Sequence, residues 1–161
     1  MAARPLELIR MLRLAPHPEG GWYREIHRAR CRVVTARGGA PRSAVTQIYY
    51  LLNAGERSRW HRIDADELWH FYEGDALTLL TLAPRSQSVT TTQLGKTGRG
   101  RQPVAVVEAG TWQAATIARG YALVGCTVAP GFVFDRFELL ADDKRSRQRL
   151  EPVLGRWKSL I

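Results

Sequence analysis

His61 and Glu67 are the residues whose types and spacing invite chemistry. They stand in the frame Gly55-x5-His61-x-Ile63-x3-Glu67-x6-Gly74. An imidazole titrates near neutral pH, and a neighbouring carboxylate can orient it, so the pair is suited to general acid–base work. Residues two apart on a strand share a face, which points His61 and Ile63 the same way and puts Glu67, Trp69 and Phe71 together on the next strand. An imidazole, a carboxylate and an aromatic wall are the ingredients of a small-molecule pocket. His70 has the opposite parity to Glu67 and reads as a packing or interface histidine. The structural alternative is a buried His61–Glu67 pair that only satisfies polar groups.

The elements that must position these residues are strands. Short β-rich segments recur at Trp22–Ala29, Cys31–Thr35, Ala44–Leu52, Leu68–Tyr72, Leu77–Leu82, Ser88–Leu94, Val104–Glu108, Thr111–Thr116, Ala122–Val128 and Phe132–Leu139. Turn residues punctuate them at Gly38-Gly39, Asn53-Ala54-Gly55, Glu73-Gly74-Asp75, Gly98-Arg99-Gly100 and Ala109-Gly110. This spacing predicts an all-β sandwich or barrel. Helical periodicity occurs at the ends only, through Leu6, Ile9 and Leu12 after Pro5, and through Leu150, Val153, Leu154, Trp157 and Ile161 with Pro152 near the start. Lys96–Gln102 reads as a loop, and Gly95-Lys96-Thr97 lacks the earlier glycine and following helix of a phosphate-binding loop. His17-Pro18-Glu19-Gly20-Gly21 reads as a turn that delivers the chain into its first strand. The functional alternative is that Tyr23 and Glu25, same-face neighbours, line the pocket.

A chain of 161 residues with no repeat or linker reads as one domain, 1–161. No apolar run is long enough for a membrane span, and no secretory signal is visible, so a cytoplasmic protein is expected. Cys31 and Cys126 fit no metal or redox spacing and are expected to stay reduced, Cys126 as packing in an apolar strand. The net charge of +9 is scattered arginine, without a block or a reader motif, which argues against nucleic acid and for a field that attracts a small anionic ligand.

The frame around His61 resembles the first motif of the cupin superfamily, G-x5-H-x-H-x3-E-x6-G, with Ile63 in place of the second histidine. The second family motif, P-x-G-x2-H-x3-N, falls on Glu108 to Gln113. It keeps only Gly110 and has Gln113 at the histidine position. His17-Pro18-Glu19-Gly20-Gly21-Trp22, Ile48-Tyr49-Tyr50-Leu51-Leu52, Asp66-Glu67-Leu68-Trp69-His70 and Gly125 to Phe132 are similar to a small bacterial and fungal cupin subfamily.

The resemblance implies a jelly-roll β-barrel with short flanking helices, in a homodimer. Family metal sites use two histidines and a glutamate of the first motif and a histidine of the second. Here those positions hold His61, Ile63, Glu67 and Gln113, too few strong donors for a tight site, so no cofactor is expected. A divalent metal at His61, Glu67 and Gln113 with an added ligand is the alternative. Metal-free sugar-nucleotide epimerases of the superfamily use a histidine base and a tyrosine acid. By analogy His61 and Glu67 are the catalytic candidates, with Tyr23, Glu25, Tyr49, Arg62, Trp69 and Gln113 as substrate-binding candidates. Tyr50, Arg24 and Arg59 are further sources of a phenol or an anion contact. The resulting expectation is a metal-independent isomerase or epimerase acting on a polar, phosphorylated or nucleotide-linked carbohydrate. A non-catalytic binding module and a metal enzyme with an altered ligand set remain as alternatives.

Overall fold

Short segments bounded by turns give the chain its strands, alternating between buried and exposed in Val104–Val107 and mostly buried in Trp112–Thr116 and Tyr121–Ala129. The computed structural model describes residues 3–35 and 40–161, and the Gly38-Gly39 turn lies outside the described residues. Helix α1 (Ala3–Leu12) is followed by β1 (Ala15–Pro16), β2 (Trp22–Arg28), β3 (Arg32–Val33), β4 (Arg42–Ser43), β5 (Thr46–Asn53), β6 (Arg57–Arg62) and β7 (Asp66–Gly74). Then come β8 (Leu77–Leu82), β9 (Thr90–Leu94), β10 (Val104–Val107), β11 (Trp112–Thr116), β12 (Tyr121–Ala129), β13 (Glu138–Leu139) and α2 (Lys144–Leu154).

The strands form a six-stranded sheet, β1-β2-β5-β12-β7-β10, and a five-stranded sheet, β13-β6-β11-β8-β9, with antiparallel pairing between neighbours. A shared core joins their inner faces: Tyr50, Leu52, Trp69, Val124 and Cys126 from the first meet Leu77, Leu79, Leu94 and Ala115 from the second. Among the described residues no ladder joins the two sheets, which stack in the jelly-roll-like arrangement that the resemblance implies. The edge strands β1 and β13 have two residues each, too short to bridge the sheets.

Each outer face is covered by a helix. Leu8 and Leu14 of the N-terminal segment bury Leu51 and Leu123, and Arg4 holds α1 down through paired bonds of 2.7 and 2.9 Å to Glu73. The C-terminal apolar stripe covers Trp60, Leu80, Leu82 and Trp112. Its helix starts earlier than the periodicity indicated, at Lys144, because the Asp143 carboxylate caps it by accepting the Ser146 N–H at 3.0 Å. The first turn is basic rather than apolar, so periodicity could not register it. Pro152 therefore lies inside α2, and Gly155–Leu160 continues as a 3-10 helix. Among the described residues no helix is long and apolar enough to cross a membrane.

Two further segments differ from expectation. Arg57–Arg62 is a full strand despite its polar composition. Phe132–Leu139 is mostly irregular, with a 3-10 turn at Phe134–Arg136 and only Glu138 and Leu139 paired to β6.

Gly20 has φ +110° and a Cβ there would lie 2.1 Å from the Arg57 carbonyl oxygen, whereas Gly110, at φ +80°, has nothing within 4 Å. Gly20→Ala is expected to destabilise the fold by about 3 kcal/mol or more and Gly110→Ala by only about 1–2 kcal/mol, as read by urea unfolding. Equal losses at the two positions would contradict this account of the turn.

Candidate functional site

Strand parity and one tight turn build the site. In the turn before β2, the Gly20 N–H donates to the His17 carbonyl at 2.9 Å and the His17 N–H donates to the Gly21 carbonyl at 3.0 Å. The Arg59 N–H donates to the Glu19 carbonyl at 2.9 Å and stitches this turn onto β6. The side chains of His17 and Glu19 are thereby carried into the space between the sheets. Tyr23 and Glu25 enter from β2, Thr46, Ile48 and Tyr50 from β5, His61 from β6, Glu67 from β7, and Cys126 and Val128 from β12. Ile63 follows β6, and Phe132, Phe134 and Phe137 come from the irregular segment after β12. Together they enclose a cavity of about 120 Å³.

The polar centre is Glu19. Its Oε2 lies 3.3 Å from His61 Nε2 and 3.4 Å from His17 Nδ1, and its Oε1 accepts the Ser58 hydroxyl at 2.8 Å. Glu19 and His61 are buried, at 5% and 2% exposure. His61 Nδ1 lies 2.7 Å from the Arg59 carbonyl oxygen, which can only accept, so Nδ1 must carry hydrogen. In neutral His61, Nε2 is then bare and faces a carboxyl oxygen. That contact needs a proton on one partner or the other, which makes Glu19 and His61 a one-proton dyad. Burial pushes the Glu19 carboxyl above its usual range and the imidazoles of His61 and His17 below theirs, bringing acid and base closer in proton affinity.

Glu67 occupies a second buried position. Its Oε2 accepts the Gln113 amide N–H at 2.5 Å, and Gln113 Oε1 accepts the Trp69 indole N–H at 3.0 Å. Burial pushes the Glu67 carboxyl up; the nearby His61 imidazole pulls it back. Burial, followed by the fields of Glu67 and Glu19, pushes the Cys126 thiol well up, leaving it a packing group.

The sequence candidates fall in several places. His61, Glu67, Tyr23 and Glu25 line the cavity. Trp69 and Gln113 are buried behind it and hold Glu67. Tyr49 lies on the opposite face of β5, packed with the α1 cluster and 6.2 Å edge-on to Tyr72. Arg62 lies outside, pairing with Glu138 at 2.6 Å and covering Trp112 at 4.7 Å. The recess beside it, about 390 Å³, contains no imidazole or carboxyl group. His70 points away from the cavity, toward Thr127 at 3.3 Å. His17 and Glu19 were missed as cavity groups because they sit on a turn, where parity has no meaning. Their sequence signals were the Gly20-Gly21 pair and the subfamily resemblance over His17 to Trp22.

Comparison with known proteins identifies this architecture. A family model described as "Cupin superfamily (DUF985)" matches residues 6–140. The chain belongs to the cupin superfamily. It is similar to a hypothetical protein from Leishmania major, at 30% identity over 97% of this chain and 98% of that one, with a TM-score of 0.83. A protein from Shewanella oneidensis is 35% identical over 96% of this chain and 92% of that one, with a TM-score of 0.79. Oxalate decarboxylase from Bacillus subtilis shares the fold at 11% identity, over 87% of this cupin and 34% of that chain, with a TM-score of 0.60. No curated protein matches the chain.

The superfamily's metal set does not fit this cupin. Ile63 presents only carbon to the cavity, and the Gln113 amide is engaged at both ends by Trp69 and Glu67. Among the described residues no group of three or more His, Cys, Asp or Glu side chains is placed to hold a metal ion.

An acid with a raised folded pKa binds its proton more tightly in the folded chain. The stability from Glu67 is therefore full below its ordinary value of 4.5 and is lost as pH rises through the raised value. His61 and His17 act oppositely: their contribution is present above 6.5 and lost as pH falls through their depressed values. The stability of wild type relative to Glu67→Gln, measured by urea unfolding, is expected to fall from acid to mildly alkaline pH. A flat or rising difference would contradict the raised acid.

Proposed function

We propose that this cupin is a metal-independent isomerase or epimerase that moves a proton on a small polar metabolite. The observation that carries this reading is the Glu19–His61 contact of 3.3 Å, in which the Arg59 carbonyl holds the imidazole tautomer so that Nε2 and the Glu19 carboxyl share one proton. His61 is the base, Glu19 holds and returns the proton, and neutral His17 flanks Glu19 at 3.4 Å. Tyr50 is not available as the acid, since its hydroxyl donates to the Gly20 carbonyl at 2.8 Å and burial holds its pKa well up. Tyr23 is the phenol left on the cavity wall.

The space bounds the substrate. An engineered cavity of about 150 Å³ takes benzene, with its six heavy atoms, so about 120 Å³ admits a small group or the reacting end of a larger polar molecule rather than a whole sugar. A second reading, a non-catalytic binding module, is favoured by the apolar Ile63 and by the fully bonded Gln113.

The test is hydrogen exchange. Metabolites that raise the melting temperature are incubated with the protein in D2O and followed by proton NMR. Exchange at one carbon is expected, reduced about 100-fold or more in His61→Ala and in Glu19→Gln. Absence of exchange or product from every stabilising ligand would leave the binding module. Exchange undiminished in His61→Ala would remove the base from its role.

The homodimer implied by the family is proposed to form through the outer face of β10, where Val104, Val106 and neighbouring Tyr72 are exposed. Light scattering at micromolar concentration is expected to give a dimer mass that Val106→Glu shifts toward monomer. A monomeric wild type would refute the dimer.

A further inference from the structure

The charge of the cavity lining runs opposite to that of the chain. The protein carries +9 overall, yet Glu19, Glu25 and Glu67 face the cavity with Arg28 as the only guanidinium among the described residues that line it. Arg28 is already engaged, donating to Glu25 at 2.9 and 2.6 Å and to the Phe132 carbonyl at 3.1 Å. An anion entering here would meet carboxyl groups with no unpaired guanidinium among the described lining residues to answer it. Burial favours the neutral forms of His17 and His61 and likewise those of Glu19 and Glu67, and a cation beside the two carboxyls favours their ionised forms, whereas an anion does not.

Over the carboxyl groups stands a collar of rings. His17 and Tyr23 lie edge-on at 4.4 Å, and Phe132 and Phe134 lie edge-on at 4.9 Å. Phe137 closes the collar, 6.0 Å from Phe132, 6.3 Å from Phe134 and 5.4 Å from His61. Phe134 is 52% exposed, a large apolar surface left facing water at the cavity mouth. Aromatic faces carry negative potential, and several around one space attract a cation, most strongly where water is excluded.

We propose that this cavity binds a small organic cation bearing an alkylated ammonium group, with the nitrogen between the phenylalanine rings and the carboxyls of Glu19 and Glu67. The proposal deepens the reading above in taking the cavity as the ligand site, and it does not depend on the proton chemistry. The ring collar recognises the methyl or methylene groups around the charge, and the buried carboxyls compensate the charge itself.

Three probes of one shape and different charge test it by calorimetry on the full chain: choline, its uncharged carbon isostere tert-butylethanol, and the anion of tert-butylacetic acid. Choline is expected to bind about tenfold or more tighter than either of the others. Phe134→Ala, at an exposed position that leaves the core intact, is expected to weaken choline binding about three- to tenfold while changing tert-butylethanol less. Glu67→Gln is expected to narrow the gap between choline and the alcohol. Equal binding of choline and its isostere, tighter binding of the anion, or no choline binding at millimolar concentration would overturn the proposal. Charge discrimination without hydrogen exchange would remove the isomerase reading alone. Hydrogen exchange with charge-blind binding would remove this proposal alone.

Discussion

The buried carboxyl of Glu19 is the constraint on which the rest of the site depends. A carboxyl group inside a protein is costly unless each oxygen has a partner. Here Ser58 donates to one oxygen, and two imidazoles approach the other. Those partners come from β6 and from the turn that carries Glu19 itself, so the turn must lie flat against β6. It does so through the Arg59 N–H bond to the Glu19 carbonyl, and only a residue without Cβ tolerates the Arg57 carbonyl oxygen at Gly20. The Gly-Gly pair, the start of β2 and the tautomer of His61 are thus parts of one arrangement.

Around that centre the two sheets divide their labour by face. Their outer faces bury Leu51 and Leu123 under α1, and Trp60, Leu80 and Trp112 under α2 and the following turn. The inner faces are left to form the common core at one end and the cavity at the other. Gln113 shows what this cupin has done with the superfamily's ligand positions. Its amide donates to Glu67 and accepts from Trp69, so a position that holds a metal-binding imidazole elsewhere in the superfamily supports a hydrogen-bonded carboxyl here. Ile63, with only carbon to present, stands at another of those positions.

Much of the geometry was legible in the sequence because strand parity is a local property. His61 and Ile63 share the cavity, as do Tyr23 and Glu25, and His70 points away from it. Parity also accounts for Arg62, which follows His61 directly and therefore belongs to the outer side of β6. Tyr49 and Tyr50 were harder to separate, since two adjacent tyrosines give no hint of which faces inward; the pairing of Tyr50 with Tyr23 settles it. Irregular backbone defeated the method. The rings of Phe132, Phe134 and Phe137 gather at the mouth because a 3-10 turn, not a strand, presents them.

The sequence by itself determined the all-β class, the flanking helices, the cupin resemblance and the facing of His61 and Glu67 toward one cavity. All of these follow from patterns among residues close together in the chain. The tertiary structure alone decided that Glu19 is the group at His61 Nε2, that Gln113 is bonded at both ends, and that acids gather inside a basic protein. Those contacts join residues tens of positions apart, and they exist only once the two sheets are stacked and the N-terminal turn is laid across β6. Local periodicity says which way a side chain points, and the packing of distant segments says what it meets.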